Sequence, residues 1–176
     1  MKKFELTTEF ITNFLGTKLF RIKALVEFGK VEKGELGGFV EKEENLDHDG
    51  DAWVSGDAMV YGNARVSGNA EVYGDAEVYG NAEVYGNARV SGDAWVSGDQ
   101  MYAAVKGFGS EYRNTTFFIT KDGNVCVNCG CFSGTLEQFR EKVEETHKDT
   151  KYAKEYLMIA DLMEMHFKEE LEKIKK

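Results

Sequence analysis

Gly50-Asp51-Ala52-Trp53-Val54-Ser55 opens a run that continues unbroken to Gly92-Asp93-Ala94-Trp95-Val96-Ser97. Residues 50–97 are eight consecutive copies of one six-residue unit, Gly-[Asp/Asn]-Ala-x-Val-[Ser/Tyr]. A fixed short period marks a chain that stacks on itself as a solenoid. Each unit suits one short strand plus a corner. Ala in third place and Val in fifth are two apart, so on a strand both point inward. The fourth and sixth residues then point outward. The Gly-Asp/Asn pair turns the corner, where a positive φ costs little. Three units make one triangular coil of 18 residues. Its interior, filled by Ala and Val, leaves no room for a ligand.

Stacking every third unit sets strands about 4.8 Å apart and sorts the outward residues into columns. The fourth residues give Trp53/Glu71/Arg89, Met59/Glu77/Trp95 and Arg65/Glu83. The sixth give Ser55/Tyr73/Ser91, Tyr61/Tyr79/Ser97 and Ser67/Tyr85. Opposite charges meet in Glu71/Arg89 and Arg65/Glu83, worth about a few tenths of a kcal/mol per pair and enough to favour one register. The corner column Asp57/Asp75/Asp93 stacks like charges. Hydrated carboxylates bonded to nearby amides explain it more simply than a cation site, since calcium-binding β-helix repeats use a nine-residue Gly-Gly unit.

The flanks differ in style, dividing the chain into a β-rich cap (1–45), a hexapeptide β-helix (46–100) and an α+β domain (101–176). In the cap, Lys3–Thr8 and Lys18–Phe28 read as strands around a Gly16 turn. Gly34–Val40 leads into the solenoid, and Asn45-Leu46 falls on the second and third repeat positions. Caps are expected at both ends, because a solenoid end exposes a strand edge and an apolar interior. In the last domain, Met101–Gly107, Thr115–Thr120 and Asn124–Asn128 read as strands, with a hairpin turn at Lys121–Asn124. Thr135 and Gln138 form a capping box for a helix with the stripe Leu136, Phe139, Val143. A second helix over 150–174 carries Tyr152, Tyr156, Ile159, Met163, Phe167, Leu171 and Ile174 at helical spacing. The fold class is mainly β: a short triangular β-helix, left-handed winding favoured, with a β cap and a C-terminal α+β domain ending in two helices.

There is no Pro, and no run approaches the ~20 apolar residues of a membrane span. Three Cys and a start without a leader point to a reducing cytoplasm, that of a bacterial host. Of the net charge of −9, residues 50–99 hold −6. Direct nucleic-acid binding through that surface is not expected, because phosphate contacts need Lys and Arg. The acidic excess fits plain solubility first, and otherwise the attraction of a basic, nucleic-acid-binding protein.

Three groups of residues are candidates for a site. Cys126, Cys129 and Cys131 lie close together with His147 and His166 downstream, and Cys126-Val-Asn-Cys129 has zinc-knuckle spacing, but there is no second Cys-x-x-Cys, so neither a metal nor another cofactor is expected. The loop Gly107–Thr116 offers free amides, the hydroxyls of Ser110, Thr115 and Thr116, and the Arg113 fork. The Cys129–Gly134 turn enters a helix N-terminus, which favours anions. If the two segments face each other, Arg113, Ser110, Thr115, Thr116, Cys129, Cys131 and His147 surround a ligand such as a nucleotide. The outward aromatics Trp53, Trp95, Tyr61, Tyr73, Tyr79 and Tyr85 form the third group. Trp and Tyr dominate protein interfaces, so these fit a host protein, unless the rings pack against the flanking domain or the other subunits of a homotrimer.

The hexads resemble the left-handed β-helix family that includes trimeric acyltransferases and γ-class carbonic anhydrases. They depart from it in placing Gly two after Val, as in Val54-Ser55-Gly56, which keeps a right-handed helix of the bactofilin kind open. The acyltransferases use a His on the solenoid and the carbonic anhydrases use three on zinc; residues 50–99 contain none. The whole chain is similar to bacteriophage and prophage proteins of unassigned function. The likeness lies in Phe4-Glu-Leu-Thr-Thr8, Gly34–Val40, the repeats, Thr115-Thr-Phe-Phe118, Cys129-Gly-Cys-Phe132 and Thr146-His147. It implies a phage accessory protein. The expected function is therefore a non-enzymatic protein that blocks a host protein, most plausibly in antiviral defence, with trimerisation by analogy. The alternatives are a sponge for a nucleotide signal, using the C-terminal domain, and a trimeric acyltransferase-like enzyme with His147 or His48 as base.

Overall fold

The computed structural model describes residues 1–174. The chain forms two compact units, Met1–Asp99 and Gln100–Lys176. The first begins with strands β1 (Phe4–Thr12), β2 (Lys18–Ala24) and β3 (Leu36–Val40). The β1–β2 turn is held by Asn13, whose Oδ1 accepts from the amides of Leu15 (3.0 Å) and Thr17 (2.9 Å). Each repeat then supplies one two-residue strand: β4 (Trp53–Val54), β5 (Met59–Val60), β6 (Arg65–Val66), β7 (Glu71–Val72), β8 (Glu77–Val78), β9 (Glu83–Val84), β10 (Arg89–Val90) and β11 (Trp95–Val96).

The strands pair in parallel with the expected 18-residue register. Trp53 lies beside Glu71 and Glu71 beside Arg89; Met59, Glu77 and Trp95 align likewise, as do Arg65 and Glu83. Amides bond to the next coil, as Trp53 N does to Ala70 O (3.0 Å) and Ser55 N to Val72 O (2.9 Å). The third-place Ala and fifth-place Val of all eight repeats are 0 % exposed, so the interior is a packed core. At the corners, glycine alone takes the positive φ, and the following Asp or Asn does not. Asn side chains bridge between coils at two corners, Asn63 Nδ2 to Asn81 Oδ1 (3.2 Å) and Asn69 Nδ2 to Asn87 Oδ1 (3.1 Å).

The cap is a continuation of one solenoid face. That face is a six-stranded sheet in the order β1-β2-β3-β5-β8-β11, with β1–β3 antiparallel and the rest parallel. The first coil departs from the expected frame. Phe39 pairs with Met59 and Leu46 bridges Val66, each across 20 residues. Leu46 therefore occupies the fifth, inward position, not the third. Two extra residues in the Asp47–Asp51 loop cause the shift. Asn45 is fully buried in a 3-10 turn and donates to Gly62 O (3.2 Å) and Ala64 O (2.8 Å), carbonyls that a regular coil would have paired with backbone. The loop is tied to the N-terminal strand. His48 stacks on Phe4 at 4.3 Å and its Nδ1 accepts from Lys3 N (3.3 Å), while Lys3 Nζ donates to Gly50 O (3.2 Å). Burial lowers the Lys3 pKa, against the opposing pull of Asp47, Asp51 and Asp49. At the far end, Asp99 Oδ1 accepts from Glu83 N (2.8 Å).

The second unit is an antiparallel sheet, β12 (Tyr102–Phe108), β13 (Arg113–Ile119), β14 (Val125–Cys129) and β15 (Phe132–Thr135), followed by α1 (Leu136–His147) and α2 (Lys151–Ile174). The expected capping box is present: Thr135 Oγ1 accepts from Gln138 N (3.2 Å) and Gln138 Oε1 from Thr135 N (2.9 Å). β15 was not expected; its Ser-Gly sequence has low strand propensity, and pairing with β14 imposes the conformation. The core gathers on Phe139, whose ring meets Phe117, Phe132 and Tyr156 at 5.9, 5.6 and 5.5 Å.

Two glycine substitutions test the stacking. Gly50 and Gly92 have φ of 69° and 62°, so Ala costs each about 1–2 kcal/mol of left-handed strain. A Cβ on Gly50 also strikes the Gly68 carbonyl oxygen, whereas one on Gly92 meets nothing within 4 Å. Urea unfolding is expected to show Gly50→Ala destabilised by at least ~1 kcal/mol more than Gly92→Ala.

Candidate functional site

The six outward aromatics do not form one exposed face. Trp53 and Tyr61 are 5 % and 4 % exposed, a correction to their expected place on the surface. Tyr61 packs with Leu19 and Phe39, flanked by Ile11, Met59 and Tyr79. Its hydroxyl donates to Glu77 Oε2 (3.0 Å) and its ring stacks on Tyr79 at 5.2 Å. Trp53 meets the edge of Phe28 at 5.4 Å. The covering residues come from the cap, which is the packing against a flanking segment that the sequence left open as the alternative. One signal was available in the pair Gly37-Gly38. A Cβ on Gly37 would sit 2.7 Å from Trp53, and one on Gly38 would sit 2.6 Å from Ala58 O. Backbone comes that close only where another element passes over it. Tyr73, Tyr79 and Trp95 are half-buried, and Tyr85 is 61 % exposed.

The face of β6 and β9 is the more open one, with Arg65, Glu83 and Tyr85 exposed, whereas on that of β4, β7 and β10 Trp53 and Ser91 are buried and Glu71, Tyr73 and Arg89 half-buried. One margin of the β4, β7 and β10 face is the corner Asp57, Asp75 and Asp93, all exposed; the other is the corner that follows Tyr85. The carboxylates cannot bridge one another as the Asn ladders do. Arg21 stands 3.9 Å from Asp57.

In the second unit the two expected loops do converge. β13 pairs with both β12 and β14, so the turns after Phe108 and Cys129 lie at one end of the sheet. The Arg113 guanidinium lies against Gly130, where any Cβ would strike Nη1, and Glu111 stands 3.7 Å away. A hydrogen-bond chain runs inward. Thr115 Oγ1 donates to Cys129 Sγ (3.2 Å), the thiol to Tyr156 Oη (3.7 Å), and Tyr156 to Phe108 O (3.3 Å). Gly109 closes over the Tyr156 ring, and its amide donates to Glu155 Oε2 (3.2 Å). His147 comes within 5.8 Å of the same ring.

Arg113, Thr115, Cys129 and His147 are thus brought together. Thr116 is not: it alternates to the other face of β13, opposite Asn128. Ser110 and Cys131 are exposed at their turns. Cys129–Gly134 is a β-hairpin, not a helix entrance; the α1 N-terminus is already capped by Thr135. Cys126 is on the opposite face of β14 from Cys129, because three residues along a strand reverse the side chain. Among the described residues, no group of three or more His, Cys, Asp or Glu is placed to hold a metal. From the sequence Tyr156 reads only as part of a packed helical stripe, and Glu155 as an ordinary charged position beside it. No helix among the described residues is long and apolar enough to cross a membrane.

The ladder, the filled interior and the stacked corners define a β-solenoid repeat protein. The repeats at residues 52–68, 58–74 and 82–98 match the family described as YdcK beta solenoid repeat. These stretches cover less than half of the chain, and they identify the type of repeat. The chain matches no curated protein.

Burial, then the Glu77 hydrogen bond, raises the Tyr61 pKa; burial, then Cys129, raises that of Tyr156. Both phenols are therefore held neutral in the folded state above the pH at which an unfolded Tyr ionises, about 10. The unfolded chain releases those protons first, so stability is full below that pH and falls above it. Chemical denaturation at pH 9 and pH 11 is expected to show the loss, and Tyr61→Phe to make it smaller.

Proposed function

We propose that this protein is a phage-encoded, non-enzymatic scaffold that occludes a basic host protein, in the setting of antiviral defence. The observation that carries this reading is the face of β4, β7 and β10 with its exposed Asp57/Asp75/Asp93 margin. At the other two corners Asn side chains link successive coils. Here three carboxylates stand at strand spacing, where their mutual repulsion opposes the stacking. A rigid anionic edge beside Tyr73 fits a surface rich in Lys and Arg, and it speeds encounter at low salt. Trp53 and Tyr61 have no part in this surface, since both are core. Tyr85, at the other margin, remains available. The test is capture from host lysate with tagged protein. Wild type is expected to retain one stoichiometric basic protein, and Asp75→Lys and Tyr73→Ala to lose it by tenfold or more. Equal retention by both variants removes this face from the reading.

The convergence of Arg113, Thr115, Cys129 and His147 favours a second reading, a site for a phosphate-bearing nucleotide signal in the second unit. An exposed Arg fork beside a backbone turn suits a phosphate. Calorimetric titration with mononucleotides and cyclic nucleotides is expected to show binding that Arg113→Ala abolishes with the urea midpoint unchanged. Binding that survives in that variant refutes the site.

A further inference from the structure

Helix α2 buries one side and leaves the other bare. Ala153, Tyr156, Ile159, Ala160, Met163 and Phe167 are buried. On the opposite side Met158, Leu162 and Met165 are 71 %, 49 % and 67 % exposed. Their spacing of four and then three is that of a helix–helix seam. With 24 residues, α2 is about 36 Å long, room for several turns of contact with another helix.

We infer that this face docks a second copy of the same chain, antiparallel, about a two-fold axis passing near Asp161 and Leu162. The charges that flank the apolar seam select this occupant. When Met158 stands opposite the partner's Met165, Lys151 falls opposite the partner's Glu172. In the same register Lys154 meets the partner's Glu169, and Glu155 meets the partner's Lys168. Two-fold symmetry makes each of these pairs twice. All of these residues share the exposed arc of α2, roughly 140° wide at 3.6 residues per turn. Glu155 is half-buried, with Oε2 accepting from Gly109 N.

Competing arrangements fail on the same charges. A parallel, in-register pair sets each Lys and each Glu against its own copy, which repels. Sliding the antiparallel pair by one turn sets Lys151 opposite the partner's Lys168 in one direction. In the other direction it sets Glu155 opposite the partner's Glu172. One register is therefore attractive along its length, as the seam of a specific helix pair requires. Asp161 and Glu164 do not compete, because Arg140 of α1 already holds them at 2.6 and 2.8 Å.

Sedimentation equilibrium of the full chain, from micromolar to several hundred micromolar, tests the pairing. The expected species is a dimer of twice the 19.8 kDa chain mass, weaker at high salt. Leu162→Glu is expected to weaken it at least tenfold. Lys154→Glu and Glu169→Lys should each weaken it, and the double variant Lys154→Glu/Glu169→Lys should restore it. These side chains are exposed, and an unchanged circular-dichroism melt confirms that each variant is folded. A monomer at every concentration, or the trimer that analogy with the acyltransferases leads one to expect, overturns the proposal. So does a dimer indifferent to Leu162→Glu, or a double variant no better than its parents.

Discussion

The solenoid depends on one constraint: every inward side chain must fit a triangular shaft whose walls are set by backbone hydrogen bonds to the next coil. Trp53 N reaches Ala70 O, and Met59 N reaches Ala76 O, so within the repeats the ladder holds each coil at 18 residues, and the first coil takes 20 only by looping out its two extra residues. Ala and Val fill that shaft at 0 % exposure. A larger residue at the Ala position would force the strands apart, and a smaller one at the Val position would leave a void; either costs kilocalories in a close-packed interior. The glycine corners follow from the same geometry. Backbone of the next coil lies within about a van der Waals distance of most of them, so a side chain has no room there.

A shaft of this kind has ends, and the ends consume the irregular parts of the chain. At the start, the two-residue insertion breaks the period, and buried Asn45 supplies the donors that a regular strand would have offered to Gly62 and Ala64. An unsatisfied buried carbonyl costs about 1–3 kcal/mol, so this side chain stands in for a piece of strand. Lys3 and His48 tie the insertion to β1. At the finish, Asp99 caps the amide of Glu83. The cap also extends one face of the solenoid by three antiparallel strands, which is why its residues bury Trp53 and Tyr61.

Because the interior is full, whatever the protein recognises must meet its outside or its second unit. One solenoid corner bears an exposed anionic row, Asp57, Asp75 and Asp93. The second unit gathers Arg113, Thr115, Cys129 and Tyr156 where two hairpin turns adjoin. The bare side of α2 bears an apolar seam with flanking charges that are complementary to themselves under two-fold rotation. These surfaces differ in chemistry, and the partners proposed for them differ accordingly: a cationic protein, an anion and a second copy.

The period of six by itself determined the solenoid, its register and every residue of its inner shaft, because a repeat leaves each inward position the same neighbours. Capping chemistry was equally local: Thr135 and Gln138 could be read as a helix start since each contacts only the other's backbone. Tertiary structure decided the rest. Leu46 took the fifth position instead of the third because an insertion that looks like more repeat sequence shifts the frame. Trp53 and Tyr61 became core because the cap folded back onto columns that face outward in any isolated coil. Cys129 joined Tyr156, 27 residues away, and parted from Cys126, three residues away, because a strand reverses its side chains at odd spacing and a helix then crosses only one face of the sheet.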